Sequence, residues 1–171
     1  MINYESGTIE LQNEISALTI AEKLGAVNGQ IIRPTDEQRL IIESKHWGPA
    51  VIIAGAGSGK TETMSQRVLW LVANGVVRPH EILGLTFTRK AAGELGARIR
   101  KRLRQLERTG LLAHLKDEER SSVEVSTYHS YAGRVVKEYG ILLGIDASTE
   151  PIGEASHWQL TQQLVAQTDV P

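Results

Sequence analysis

The 171-residue chain contains no cysteine, which excludes a disulfide framework and fits a reducing compartment. It also lacks any run approaching the roughly 18 uninterrupted apolar residues of a membrane span. Its first residues hold no basic stretch leading into a long apolar one. A soluble, cytoplasmic protein with no membrane partner is the expectation. No His or carboxylate spacing points to a protein-built metal site, and internal repeats and low-complexity tracts are missing as well. Phenylalanine occurs once, at Phe87. The length suits one domain with a core large enough to fold alone.

Charge is scarce only in the sum. The formal net charge is −1, yet residues 33–137 carry 18 basic against 11 acidic residues, while residues 138–171 hold five acids and no Lys or Arg. A basic middle with acidic flanks suggests a polyanion partner met by one part of the surface; a set of solvated basic helices gives the same pattern.

The most informative segment is Ala54-Gly55-Ala56-Gly57-Ser58-Gly59-Lys60-Thr61, which follows the apolar run Ala50-Val51-Ile52-Ile53 and precedes a helix-like stretch. That order suits a phosphate-binding loop. Gly55, Gly57 and Gly59 let the backbone curl its N–H groups inward at phosphate oxygens, and the following helix adds the positive end of its dipole. Lys60 would reach the outer phosphates and the Thr61 hydroxyl would ligate magnesium. Ala54 stands where the common pattern has its first glycine. The competing reading is a Gly-rich strand-to-helix turn with an exposed lysine.

Around the loop, residues 1–33 read as an extension with a short helix near Ile20–Leu24. Thr35 is a predicted N-cap, with Gln38 three residues on and a helix to about Ser44. Ala50–Ile53 is the expected first buried strand. Val68, Leu69, Leu71 and Val72 give one apolar helix side that stops at Asn74-Gly75. Ile82–Phe87 is continuous, as in a strand covered on both faces. From Lys90 to Leu106, the spacing of Leu95, Ile99, Leu103 and Leu106 puts four apolar side chains on one helix face. Thr109–Ser122 reads as a surface excursion, irregular or briefly helical. Val123–Ser126 is a third strand, His129–Tyr139 its helix, and Glu154 to about Ala166 a last helix. This alternation implies an α/β fold with a parallel sheet.

Taken together, Pro34-Thr35-Asp36-Glu37-Gln38, the AGAGSGKT loop, LGLTFTRKAAGEL (Leu83 to Leu95) and VSTYHSYAGRVV (Val125 to Val136) resemble successive N-terminal motifs of superfamily 1 DNA helicases of the UvrD and Rep type. The likeness runs from about Ile20 onward. The phrases GKTET, LVANG and TFTRKAAGEL look closest to UvrD-like motor subunits of actinobacterial helicase-nucleases. The resemblance implies a P-loop NTPase (RecA-like) parallel sheet with flanking helices, incomplete here. Residues 1–33 would be an extension, 34–145 part of the first motor lobe, and 146–171 the start of an inserted helical subdomain.

It further implies ATP and magnesium as cofactors, with Gln38 reading the adenine and residues Ala54 to Thr61 cradling the phosphates. Family members often carry an Arg directly after the loop threonine that stacks on the adenine; here that cofactor-binding position is Glu62, so a different nucleotide affinity or base preference is expected. Thr86, Phe87, Thr88, Arg89 and Lys90 would meet single-stranded DNA at the strand tip, with Phe87 stacking on a base. On the residues alone, Phe87 reads equally as a core ring closing a buried strand. Thr127, Tyr128 and His129 would touch the same strand; an isolated His more often caps or fills a core. Arg98, Arg100, Lys101, Arg102, Arg104 and Arg108 either line a DNA track or duplex junction or form a solvated face.

The resemblance implies 3'-to-5' translocation in DNA repair or recombination, a second motor lobe, and a helicase-nuclease partner subunit. The acidic pair that such motors use for hydrolysis is not found. Asp36-Glu37 follows Arg-Pro-Thr rather than an apolar strand, and Asp117-Glu118-Glu119 follows His114-Leu115-Lys116. The chain alone is therefore expected to bind ATP weakly and hydrolyse essentially none. Alternatives are a non-catalytic nucleic-acid binding module that keeps the loop as a relic, and a small P-loop phosphotransferase.

Overall fold

A computed structural model describes residues 2–3, 7–116, 123–146, 148–149 and 152–168. The chain divides into two compact units, Met1–Thr127 and Tyr128–Pro171.

The first unit opens with a small antiparallel hairpin, β1 (Ile2–Asn3) and β2 (Thr8–Ile9), which the sequence pattern did not disclose. Residues 7–9 are stitched to the segment ahead of the loop: the Ile9 N–H donates to the Lys45 carbonyl at 2.7 Å and the Trp47 N–H to the Gly7 carbonyl at 2.7 Å. Helix α1 (Ala17–Asn28) is longer than the expected Ile20–Leu24 core. Ser16 caps its start by accepting from the Thr19 N–H, and Gly29, at φ 76°, ends it in the left-handed conformation. Ile20, Ala21 and Leu24 are buried, so this N-terminal helix contributes to the core.

Helix α2 (Asp36–Ile42) starts in the predicted capping box, with Thr35 and Gln38 exchanging side-chain and backbone hydrogen bonds. Asp36 and Glu37 occupy its first turn, where negative charge stabilises the helix end. Helix α3 (Lys60–Ala73) buries Leu69, Trp70, Val72 and Ala73. Helix α4 (Arg89–Glu107) buries Leu95, Ile99, Leu103 and Leu106, the four positions that the spacing predicted. These two faces, with Leu112, Leu115 and Val123, form the centre of the core.

Strands β3 (Leu83–Thr86) and β4 (Glu124–Thr127) pair in parallel, Leu83 opposite Glu124 and Thr86 opposite Thr127, with α4 as the crossover. Two expectations fail here. Residues 50–53 pair with no strand among the described residues, and Val51 and Ile53 are 86% and 94% exposed. Strand β3 is also not covered on both faces, since Leu83 is exposed. The cause is geometric: an apolar groove of about 790 Å³, lined by Val51, Ile52, Val68, Ile82 and Leu83 among others, separates residues 50–52 from β3. A strand cannot hydrogen-bond across such a gap. Residues 108–115 form turns, and residues 117–122 of the expected excursion lie outside the described residues.

The second unit contains α5 (Tyr128–Tyr139), a 3-10 turn (Gly140–Leu143) closed by Gly144 at φ 75°, and α6 (Glu154–Gln167). Neither α5 nor α6 has a buried residue. The difference between the two units is testable. Leu103→Ala removes a fully buried side chain and should lower unfolding free energy by about 2–5 kcal/mol. Leu160→Ala, on the exposed α6, should cost less than about 0.5 kcal/mol in the same urea titration.

Candidate nucleotide site and nucleic-acid rim

The loop between Ile53 and α3 has the backbone that its glycines permit. Gly57 and Gly59 take φ 77° and 83°, where an L side chain is strained, and a Cβ at Gly55 or Gly57 would meet nothing within 4 Å. Ser58 folds the turn on itself, its hydroxyl donating to the Gly55 carbonyl at 2.8 Å. Gly59 is the N-cap of α3 and brings no side-chain cap, which leaves the helix's first N–H groups for an outside acceptor. The Lys60 ammonium lies over the curl, donating to the Ala54 and Gly55 carbonyls at 2.7 and 2.6 Å. Thr61 is exposed on the first turn of α3. Open glycine positions, an uncapped helix start and the Lys60 ammonium beside them fit a phosphate group, and Thr61 adds an exposed hydroxyl next to them.

Gln38 joins α2 to this loop. Its Oε1 accepts from the Thr35 N–H at 3.0 Å while its Nε2 donates to the Ser58 carbonyl at 3.3 Å. An amide that links the two segments in this way stands beside Gly59, the last glycine of the cradle.

Glu62 turns the other way, toward α4. Arg102 grips both its carboxylate oxygens, Nη2 at 3.0 Å from Oε2 and Nη1 against Oε1, and Arg98 lies 3.8 Å away. Gln66 Nε2 adds a fourth contact at 2.9 Å. Burial alone would push the Glu62 carboxyl up, but the hydrogen bonds from Arg102 and Gln66 and the charges of Arg102 and Arg98 hold it below the ordinary 4.5. The sequence gives no local signal for this cluster, because its partners lie forty residues apart. A second such tie is Arg67, which donates to the Ile42 carbonyl at 2.7 Å and so satisfies the end of α2 from α3.

At the tip of β3 the chain turns outward. Phe87 is 88% exposed, which rules out the core-ring reading. The Thr86 hydroxyl donates to the Thr88 carbonyl at 3.0 Å, and the Thr88 hydroxyl caps α4 by accepting from the Ala91 N–H at 3.1 Å. Arg89 and Lys90 are exposed on the first turn of α4. Thr127, opposite Thr86 in the sheet, is only 6% exposed. In the second unit, Tyr128 and His129 open α5, and both are exposed. Lys101 and Arg104 are exposed along α4 and Arg108 just past its end, whereas Arg102 is spent on Glu62.

Residues 34–170 match the family described as the UvrD/REP helicase N-terminal domain. Among curated proteins, the chain is 37% identical over 99 residues to the ATP-dependent DNA helicase PcrA of Staphylococcus epidermidis, covering 58% of this chain and 12% of that protein. It is 33% identical over 118 residues to PcrA of Leuconostoc citreum, 69% of this chain and 14% of the relative. It is 36% identical over 104 residues to the ATP-dependent DNA helicase UvrD2 of Mycobacterium tuberculosis, 61% of this chain and 14% of the relative. The chain thus spans 12–14% of the length of these relatives.

The Glu62 cluster has a pH signature. Its folded carboxyl titrates below the unfolded one, so the stability it contributes is complete above about pH 4.5 and is lost as pH falls through the depressed value. Glu62→Gln should lower stability by a constant amount above about pH 4.5 and flatten the acid limb of a stability-against-pH curve, leaving only the shape of the alkaline limb unchanged. A variant whose acid limb superimposes on that of the wild type would show that the cluster does not contribute.

Proposed function

Because the chain belongs to the UvrD/REP helicase N-terminal domain family, we propose that it is the ATP-binding part of a DNA helicase that moves 3'-to-5' along single-stranded DNA in repair or recombination. The observation that carries this reading is the geometry at the start of α3: two left-handed glycines, an uncapped helix end and the Lys60 ammonium meet in one exposed loop. The relatives named above are ATP-dependent DNA helicases, which supports ATP as the nucleotide and DNA as the partner.

In this reading residues 34–145 belong to a RecA-like first motor lobe, preceded by the extension 1–33, and 146–171 begin a helical subdomain. Lys60 holds the outer phosphates, the N–H groups from Gly57 to Thr61 receive their oxygens, and Gln38 reads the adenine edge. The Thr61 hydroxyl holds magnesium, which supplies charge neutralisation when bound. Phe87 offers its exposed face to a base, while Thr86, Thr88, Arg89 and Lys90 take phosphates. Thr127, Tyr128 and His129 contribute further contacts to the strand. Closure of a second lobe over the nucleotide would drive the strand along, and a duplex junction and a helicase-nuclease subunit are the remaining partners. The apolar lining of the groove beside β3 is what a further, covered strand of the same sheet would pack against.

Two variants separate the roles. Lys60→Ala in the full-length helicase should abolish ATP-driven unwinding and leave nucleotide-free binding of single-stranded DNA within about twofold, since the two ligands meet different side chains. Loss of both activities together would refute the division. Phe87→Ala should weaken single-stranded DNA binding by about 1–3 kcal/mol without changing ATP affinity, as read by fluorescence anisotropy and calorimetry.

A further inference from the structure

An acid stands directly beside the loop, and another helix disarms it. Glu62 lies in the first turn of α3, next to Thr61, where a carboxylate competes with any anion for the positive helix end. A bare negative charge there would oppose a polyphosphate at the cradle. It also lies on the cradle's flank: a Cβ on Gly59 would come within 2.9 Å of Gln38 Nε2 and 4.0 Å of Glu62 Cβ.

Glu62 is not bare. The Arg102 fork spans both its oxygens, and the Arg102 side chain is only 15% exposed, so this pair is held out of water and screened little. Arg98, 41% exposed and 3.8 Å from Oε2, is held more loosely. One carboxylate with two guanidiniums gives the cluster a charge of about +1, where Glu62 alone would give about −1.

We propose that Arg98 and Arg102 of α4 are positioning residues of the nucleotide site. Arg102 cancels Glu62 so that the cradle accepts the polyphosphate of a nucleoside triphosphate, and Arg98 leaves the flank with a surplus positive charge. The inference rests on the reading of the loop as a phosphate site. It gives α4 two duties on one rigid rod: its first turn carries the nucleic-acid rim at Arg89 and Lys90, and its middle sets the charge beside the phosphates.

The test is calorimetric titration of the full-length helicase with magnesium-ATP, magnesium-ADP and AMP. Arg102→Met takes the cluster from about +1 to about 0 and should weaken ATP about tenfold, ADP less because its magnesium complex carries about −1 against about −2 for that of ATP, and AMP least because it places no β- or γ-phosphate in the cradle. Glu62→Gln should bind ATP as tightly as the wild type or more tightly. The double variant Glu62→Gln/Arg102→Met should return to within about twofold of the wild type, which is the scatter expected once the coupled charge is gone. A purely structural role for Arg102 predicts an equal loss for all three nucleotides and no rescue by Glu62→Gln; that result overturns the inference. If Arg102→Met does not fold, Glu62→Gln alone decides, since weaker ATP binding by that variant is also fatal. A wild-type chain that binds no ATP refutes the phosphate site itself and this inference with it. Binding by the wild type without the predicted ranking refutes the inference alone.

Discussion

The seam between α3 and α4 is the constraint that the candidate site depends on. Leu69, Trp70 and Val72 from one helix and Ile99, Leu103 and Leu106 from the other belong to a single water-free cluster, nearly all of them fully buried. Burial of side chains of this size is worth about 1.5–3 kcal/mol each before entropy is charged against it. Apart from Gln38 on α2 and Thr127 at the end of β4, every residue given a ligand role in the first unit hangs from the end of one of these helices or from the segment leading into it. Lys60 and Thr61 begin α3, while Arg89 and Lys90 begin α4. The solvent-facing chemistry is therefore positioned by side chains that never meet a ligand.

Polar ties refine what the seam sets. Asn74, at the end of α3, accepts from the Ile15 N–H at 2.7 Å and returns a hydrogen bond to the Ile15 carbonyl at 3.0 Å, fixing the entry to α1. Glu43, just past α2, accepts from the Ala17 N–H at 2.7 Å. Helix ends leave backbone groups without intrahelical partners, and here neighbouring helices supply several of them. The N-terminus of α3, like that of α6, takes no cap from a side chain, whereas Ser16, Thr35 and Thr88 cap α1, α2 and α4.

How much of this could be read in advance depended on the range of each interaction. The buried face of α4 was legible because Leu95, Ile99, Leu103 and Leu106 repeat with the helix itself. The Thr35–Gln38 box was legible because both partners lie within one turn. The pairing of β3 with β4 followed from their alternation with helices. Residues 50–53 misled because an apolar run records a need for cover without naming what provides it. The Glu62–Arg102 pair was hidden for a related reason, since each residue alone resembles an ordinary surface charge. Phe87 was ambiguous on its own: a lone ring after an apolar strand suits core and surface alike, and only its placement beyond the end of β3 decides.

The uncovered run from Val51 to Ile53 also has a cost while the chain is being made. Apolar backbone that joins no sheet among the described residues is a template that foreign strands can join, and Val51 and Ile53 are almost wholly in solvent. The motif that reads most clearly as a nucleotide grip is thus tethered to a segment prone to misassembly. Nascent chains would need that stretch shielded, for example by a holding chaperone, while the rest of the unit folds.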